Sequence, residues 1–500
     1  MDINSTFRVD KGDVNQIVHI HTRYGQFVDT IECNKIEFSS VLEYKLNKMK
    51  MKKQLSFTIL AVIILTFNIK AQQNNTNLLD HQTEILNWLD EYNVPAVGIG
   101  IIKDGEITDC KVFGELRKDI PTRDDAVFAI ASVTKPVVTM VTLKLVESGK
   151  WDLDEPLYHY WIDPDIKDDN RYKKLTTRQI LSHQTGFPNW RNALVSKKLE
   201  FLFEPGSKHN YSGEGFEYLK KALENKFQKS IEQLSDSILF KPLKMKDTKY
   251  RWKDTIDESR FAFRHNAQRE EYKNQGGLIT SAAGGLLTTI EDYSKFGIEV
   301  MNGAGLSEKL FNDMISSQVE IKKNVDQGLG WEVIRNLPNK EYALVHEGGS
   351  SGVQTIVIFL PVSKRGIVVF TNGDEGYNVY SKIIEEYFDL GVDILKTLAA
   401  MSYDPDNLKI VEVSSDILSK YTGSYFIKSF QMAVELILED DMLKVKTPHN
   451  TINLFPESET KFLAKADDFI ISFVKDKNNE ITGLMTEFRG AKPEFSKKIK

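Results

Sequence analysis

Hydrophobic and polar positions change period at a few places along the chain. Between Phe128 and Gly149, apolar residues recur at 137, 138, 141, 145 and 146, the spacing of a helix face, and Gly149 supplies a stop. Leu78–Tyr92 carries the same helical period. Val97–Ile102 and Glu106–Phe113 instead read as strands, and Lys103-Asp104-Gly105 between them is a strong hairpin signal. Residues 128–300 are mostly helical segments and long loops. A meander follows, with strands at Tyr342–Val345, Val353–Leu360 and Gly366–Asn372, and then one long helix, Tyr377–Ala399. Strands at both ends with helices between them predict an α+β domain over 78–400, a single antiparallel sheet with the helical region inserted in its middle.

The pattern changes after Ala400. Residues 401–414 read as a linker, around Ser402-Tyr403-Asp404-Pro405-Asp406-Asn407. Short alternating segments then recur about every ten residues from Gly423 to Phe488, which predicts a small all-β barrel or sandwich over 415–500.

Met51-Lys52-Lys53, the apolar run Ile59–Phe67 and Ala71-Gln72 form the charged, hydrophobic and cleavage regions of a signal peptide over 51–71. The apolar run is shorter than the roughly 20 residues of a comfortable span. Residues 1–50 are then an upstream extension, and the chain is expected to be exported, periplasmic or secreted. The competing reading is a signal anchor with residues 1–50 as a cytoplasmic tail.

With 65 Lys and Arg against 71 Asp and Glu, and no long basic run, the chain offers nothing for nucleic acid. Of two cysteines, Cys33 lies ahead of the cleavage site and Cys110 has no intrachain partner in what remains. No Cys/His cluster has metal-ligand spacing and no Gly-rich phosphate loop occurs, so no metal or cofactor is expected.

Chemistry enters at Ser132-Val133-Thr134-Lys135. Pro136 has no N–H and is tolerated only in a first helical turn, which places the helix start near Ser132. Residues three apart share a helix face, so Lys135 lies beside the Ser132 hydroxyl, among the unpaired N–H groups of a helix N-terminus. Two other Ser-x-x-Lys tetrads lack this geometry. Ser472 and Lys475 sit in a strand-like run, where they point to opposite faces, and Ser458 with Lys461 lies in a polar turn after Pro456. Acyl transfer also needs a proton relay and oxyanion donors. Tyr211, in the loop Asn210-Tyr211-Ser212-Gly213, can relay a proton beside a lysine. His346-Glu347-Gly348-Gly349 ends a strand, and its glycines let substrate approach the backbone closely, so the Gly349 N–H could pair with that of Ser132 as an oxyanion hole.

Together, Phe128–Lys135, Tyr211-Ser212-Gly213 and His346-Glu347-Gly348 resemble the three motifs of the penicillin-recognising serine hydrolases. The similar branch holds class C β-lactamases, D-alanyl-D-alanine carboxypeptidase B and family VIII esterases. Leu175–Pro188, Ala283–Thr289 and Gly328-Leu329-Gly330-Trp331 add to the likeness, and the C-terminal region is similar to a lipocalin-like barrel. The resemblance implies a β-lactamase/transpeptidase-like fold with Ser132 acylated, Lys135 and Tyr211 as the base pair, and His346, Gly348 and Gly349 binding substrate. The expected substrate is a small molecule or short peptide, with peptidoglycan as its source in one reading. The expected reaction is cleavage of an ester, a D-amino-acid peptide or a β-lactam. The alternative is a catalytically silent module that senses peptidoglycan fragments. Two departures stand out: Gly213 replaces an asparagine, and His346 stands where β-lactamases carry lysine. A free lysine near pKa 10.4 must fall by roughly 3 units to act as a base, and otherwise it holds Tyr211 as phenolate.

Overall fold

The computed structural model describes residues 7–11, 16–21, 27–33 and 77–499, with short gaps at 195, 251–256, 274, 276–279, 400–410, 428–431, 440, 447–450, 465–468, 478–479 and 489–493. The signal-like segment 51–71 and the linker core Ser402–Asn407 lie outside the described residues. The chain forms two compact units, Met1–Thr76 and Asn77–Lys500. In the first, Phe7–Lys11, Gln16–His21 and Phe27–Cys33 form a three-stranded antiparallel sheet. No described helix is long and apolar enough to cross a membrane.

The second unit is built on a nine-stranded sheet. Its strands are β1 (Ala96–Lys103), β2 (Glu106–Arg117), β3 (Ile120–Pro121), β4 (Val319–Lys322), β5 (Val325–Gln327), β6 (Glu332–Leu337), β7 (Glu341–Ser350), β8 (Val353–Leu360) and β9 (Arg365–Thr371). They lie in the order β3-β2-β1-β9-β8-β7-β6-β5-β4, so β1 from one end of the domain pairs antiparallel with β9 from the other. The helical region is inserted between β3 and β4. At the β1–β2 turn Asp104 and Gly105 have φ of 52° and 78°, the left-handed pair of a tight hairpin.

The unbroken apolar runs of β8 and β9 follow from burial on both faces. Ile356, Ile358, Ile367 and Val369 face one core with Ile85 and Leu89 of α1 (Gln82–Glu91). Val357, Phe359, Val368 and Phe370 face the other, with α2 (Thr134–Glu147), α3 (Gly213–Phe227) and α4 (Ile290–Met301). Helix α4 lies close against β1 because residue 98 is glycine: a Cβ there would stand 2.6 Å from Ile290.

Several expectations are revised. The strands towards one edge of the sheet, β4, β5 and β6, lie outside the predicted meander, since they are short and carry charge at alternating and non-alternating positions alike. The long helix expected over Tyr377–Ala399 is broken into α5 (Gly376–Tyr387) and α6 (Gly391–Ala399). Leu390 turns left-handed at φ 69°, and Gly391 packs where a Cβ would stand 2.1 Å from the Ile384 carbonyl oxygen. Helix α2 is buried on nearly every side from Thr134 to Leu143, so it is a central helix rather than an amphipathic one.

The C-terminal region opens with short helical turns, Ser415–Leu418 and Ser419–Tyr421, and from Gly423 on its described elements are strands, as its alternation predicts. A four-stranded sheet (Gly423–Ile427, Met432–Glu439, Met442–Lys446, Thr451–Asn453) shares one core with a five-stranded sheet that includes Phe469–Lys475 and Ile481–Phe488. Among the described residues these ladders meet at a single bridge, Tyr425 to Lys498, and do not close a barrel.

Candidate active site

The Ser132 segment is held from several directions. Ala131–Val133 forms one 3-10 turn ahead of α2, and Ala131 has a φ of 44°, strained for a residue with a Cβ. Thr134 Oγ1 donates to Ala131 O at 2.7 Å and accepts from Leu286 N at 3.1 Å. Tyr293 donates its hydroxyl proton to Val133 O (2.9 Å), and Thr355 Oγ1 donates to Ile130 O (3.0 Å). The strain persists because neighbours fix both sides of the turn.

Lys135 points back to Ser132, with 3.1 Å between Nζ and Oγ, and its ammonium also donates to Ala283 O at 2.7 Å. It lies 4.7 Å from the Tyr211 ring centroid and 5.6 Å from that of Phe216. Lys135 is buried, and desolvation pulls its pKa down to about 7, against a smaller opposing pull from Glu217. Burial pushes the Tyr211 pKa well up, against a smaller lowering pull from the Ser132 side chain, so the phenol keeps its proton.

Tyr211 is positioned by the start of α3. Ser212 caps that helix, its Oγ accepting from Gly215 N at 3.1 Å and donating to Pro188 O at 2.7 Å. The Ser212 N–H donates to His183 Nδ1 (3.1 Å), and the imidazole lies 4.3 Å, centroid to centroid, from the Tyr211 ring.

The third segment closes the cluster. Beyond Val345, β7 pairs only with β8 among the described residues, and its other edge faces the Ser132 turn. Gly348 must be glycine there: a Cβ would stand 2.6 Å from Ile130 O and 3.1 Å from Ser132 N. Gly349 is the next residue along that edge. His346 is buried, its ring centroid 6.4 Å from that of Tyr211. Desolvation first, and Lys135 second, bring its pKa down to about 3. Its Nδ1 lies 2.7 Å from Glu347 O; a carbonyl only accepts, so Nδ1 carries the proton and Nε2 is left as an acceptor. All six residues singled out in the sequence therefore belong to one cluster, a hydroxyl, an amine near neutrality, a phenol and a glycine-rich strand edge. Such a set can activate an alcohol and bind a developing oxyanion.

Residues 75–385 match the family described as Beta-lactamase. The chain belongs to the beta-lactamase family. Penicillin-binding protein 4* of Bacillus subtilis (strain 168) is 22% identical over 444 residues, covering 80% of this chain and 94% of its own. A putative D-alanyl-D-alanine carboxypeptidase of Salmonella agona (strain SL483) is 24% identical over 368 residues, 56% of this chain and 82% of its own. Among solved structures, the octameric penicillin-binding protein homologue from Pyrococcus abyssi matches with a TM-score of 0.53 at 21% identity, over 84% of this chain and 100% of that one. With these relatives, this beta-lactamase-family chain is a serine hydrolase.

Three features of this beta-lactamase-family site escaped the sequence reading. His183 lies in the Leu175–Pro188 segment noted for its likeness, but nothing in the pattern brings it under Tyr211. Glu217, on α3, accepts from Ser281 Oγ (2.6 Å) and Ala283 N (3.1 Å), beneath the carbonyl that Lys135 uses. Trp190 covers Gly213: a Cβ at 213 would stand 2.7 to 3.0 Å from three indole carbons. Gly213 is thus more than an asparagine lost, since the indole fills the space a side chain would need. An asparagine side chain at 213 would first have to displace that indole.

Proposed function

We propose that the chain hydrolyses acyl substrates, carboxylic esters above all, through an acyl-enzyme on Ser132. Neutral Lys135 takes the proton from Ser132 Oγ as that oxygen bonds to the substrate carbonyl carbon. The carbonyl oxygen becomes an oxyanion against the N–H groups of Ser132 and Gly349. Collapse breaks the bond to the leaving group, which receives a proton through Tyr211 from protonated Lys135. Water then attacks the acyl carbon by the same route and frees Ser132. The observation that carries this reading is the 3.1 Å approach of a buried Lys135 Nζ to Ser132 Oγ, with the lysine lowered to about 7 and the tyrosine raised. It favours Lys135 over a Tyr211 phenolate as the base.

The ester preference rests on the other two segments. Gly213 offers no side-chain amide, and neutral His346 presents an acceptor rather than a cation to a substrate carboxylate. Losing two hydrogen bonds lowers transition-state stabilisation by roughly 2–5 kcal/mol, a factor of about 30 to several thousand in rate. The relatives named for penicillin binding and D-alanyl-D-alanine cleavage support a second reading, peptide hydrolysis, and the same experiment separates the two. kcat/KM for p-nitrophenyl butyrate is expected to exceed that for nitrocefin or a D-Ala-D-Ala peptide, and Ser132→Ala should abolish all three. Equal or faster turnover of nitrocefin or the peptide would overturn the ester assignment.

A further inference from the structure

Beneath the site lies a buried ion pair that no step above uses. Glu217 and Lys220 sit three residues apart on one face of α3, with Lys220 Nζ 2.5 Å from Glu217 Oε2 and both side chains mostly buried. Their remaining bonds go to a single stretch of main chain. Lys220 also donates to Thr280 O at 2.7 Å, while Glu217 Oε1 receives Ser281 Oγ and Ala283 N. Ala283 then presents its carbonyl to Lys135 at 2.7 Å. The main chain of one residue, Ala283, thus links the carboxylate to the site lysine.

We propose that Glu217, tethered by Lys220, is a positioning residue for Lys135: it fixes the Ala283 carbonyl and supplies the negative charge that holds the proton on the buried ammonium. The groups facing Lys135 are the Ser132 hydroxyl, the rings of Tyr211 and Phe216, the neutral imidazoles of His183 and His346, and Glu217 through the 281–283 main chain. Of these only Glu217 is anionic, so its charge opposes desolvation and keeps Lys135 from falling further. Lys220 partly neutralises that charge. The two variants therefore have opposite signs. Glu217→Gln keeps an oxygen for Ser281 and Ala283 but loses the charge, so Lys135 should release its proton at lower pH. Lys220→Gln leaves Glu217 uncompensated, so Lys135 should hold its proton to higher pH.

The consequence for catalysis rests on Lys135 being the base of the proposed reaction, so two readouts are needed. The first is the titration of the Lys135 side chain by carbon-13 NMR, in full-length protein carrying ε-carbon-13 lysine, assigned by its loss in Lys135→Met. The second is the pH dependence of Ser132 labelling by a fluorophosphonate probe. Glu217→Gln should lower the Lys135 midpoint by roughly half a pH unit and Lys220→Gln should raise it by a similar amount. The acid limb of labelling should move with it. If Glu217→Gln does not fold, the upward shift in Lys220→Gln decides. Unmoved midpoints, or shifts of the same sign, would overturn the assignment even where labelling itself continues. The expected NMR shifts in a protein that never labels would instead support the Glu217 assignment and sink the base role of Lys135.

Discussion

Lys135 shows how burial turns an ordinary side chain into a reagent. Its ammonium would hold its proton to about 10.5 in water, and the folded chain lowers that to about 7 by desolvation. The same shift acts on stability. Between about 10.5 and about 7 the unfolded chain binds a proton that the folded chain does not, so stability falls as pH falls through this window and levels off below it. Lys135→Met should abolish activity and stabilise the protein by roughly 1–3 kcal/mol at pH 7, after allowance for the hydrogen bond lost at Ala283. The desolvation part of that gain, about 4 kcal/mol at pH 7, should vanish near pH 10.5 and leave only the cost of the lost hydrogen bond, so the variant is then no more stable than wild type. Urea unfolding at pH 7 and pH 10 measures both values, and a variant less stable at pH 7 than at pH 10, relative to wild type, would contradict this account.

Among elements, the loop before α3 decides what the second segment can offer. Asn189 ties that loop to the helix start, its Oδ1 receiving Gly213 N at 2.9 Å and its carbonyl receiving Glu214 N at 3.0 Å. Arg191 adds an ion pair to Glu214, and between them the indole of Trp190 lies over Gly213. Gly213→Asn should force the indole out and destabilise the protein by roughly 1–3 kcal/mol, and adding Trp190→Ala should recover much of that loss. Thermal unfolding of the three variants reads the coupling. A single variant as stable as wild type, with unchanged tryptophan emission, would show that the indole does not occupy this space.

Legibility followed locality. The Ser132–Lys135 contact was readable because i, i+3 spacing and Pro136 fix it within one turn. The hairpin at Asp104-Gly105 and the two-sided strands β8 and β9 were readable because period and turn chemistry are local too. The break at Leu390 was hidden, since a left-handed leucine has no compositional mark and Gly391 alone reads as a weak helix residue. His183, Glu217 and Trp190 were hidden for a deeper reason: each meets the site across a loop or a helix-to-loop contact that no spacing encodes.

For the whole molecule, the antiparallel sheet brings β7 from late in the chain against a turn near residue 132, and the inserted helices bring Tyr211 to the same place. We expect export with cleavage after Ala71, so N-terminal sequencing of secreted protein should begin at Gln72, and recovery of residues 1–50 would favour the anchor. The central claim is that Ser132 is the group acylated. Full-length protein treated with a fluorophosphonate probe, digested and mapped by mass spectrometry tests this most directly. The adduct should sit on the peptide holding Ser132, be absent from Ser132→Ala, and be unaffected in Ser458→Ala and Ser472→Ala. An adduct on any peptide lacking Ser132, or undiminished labelling of Ser132→Ala, would contradict it.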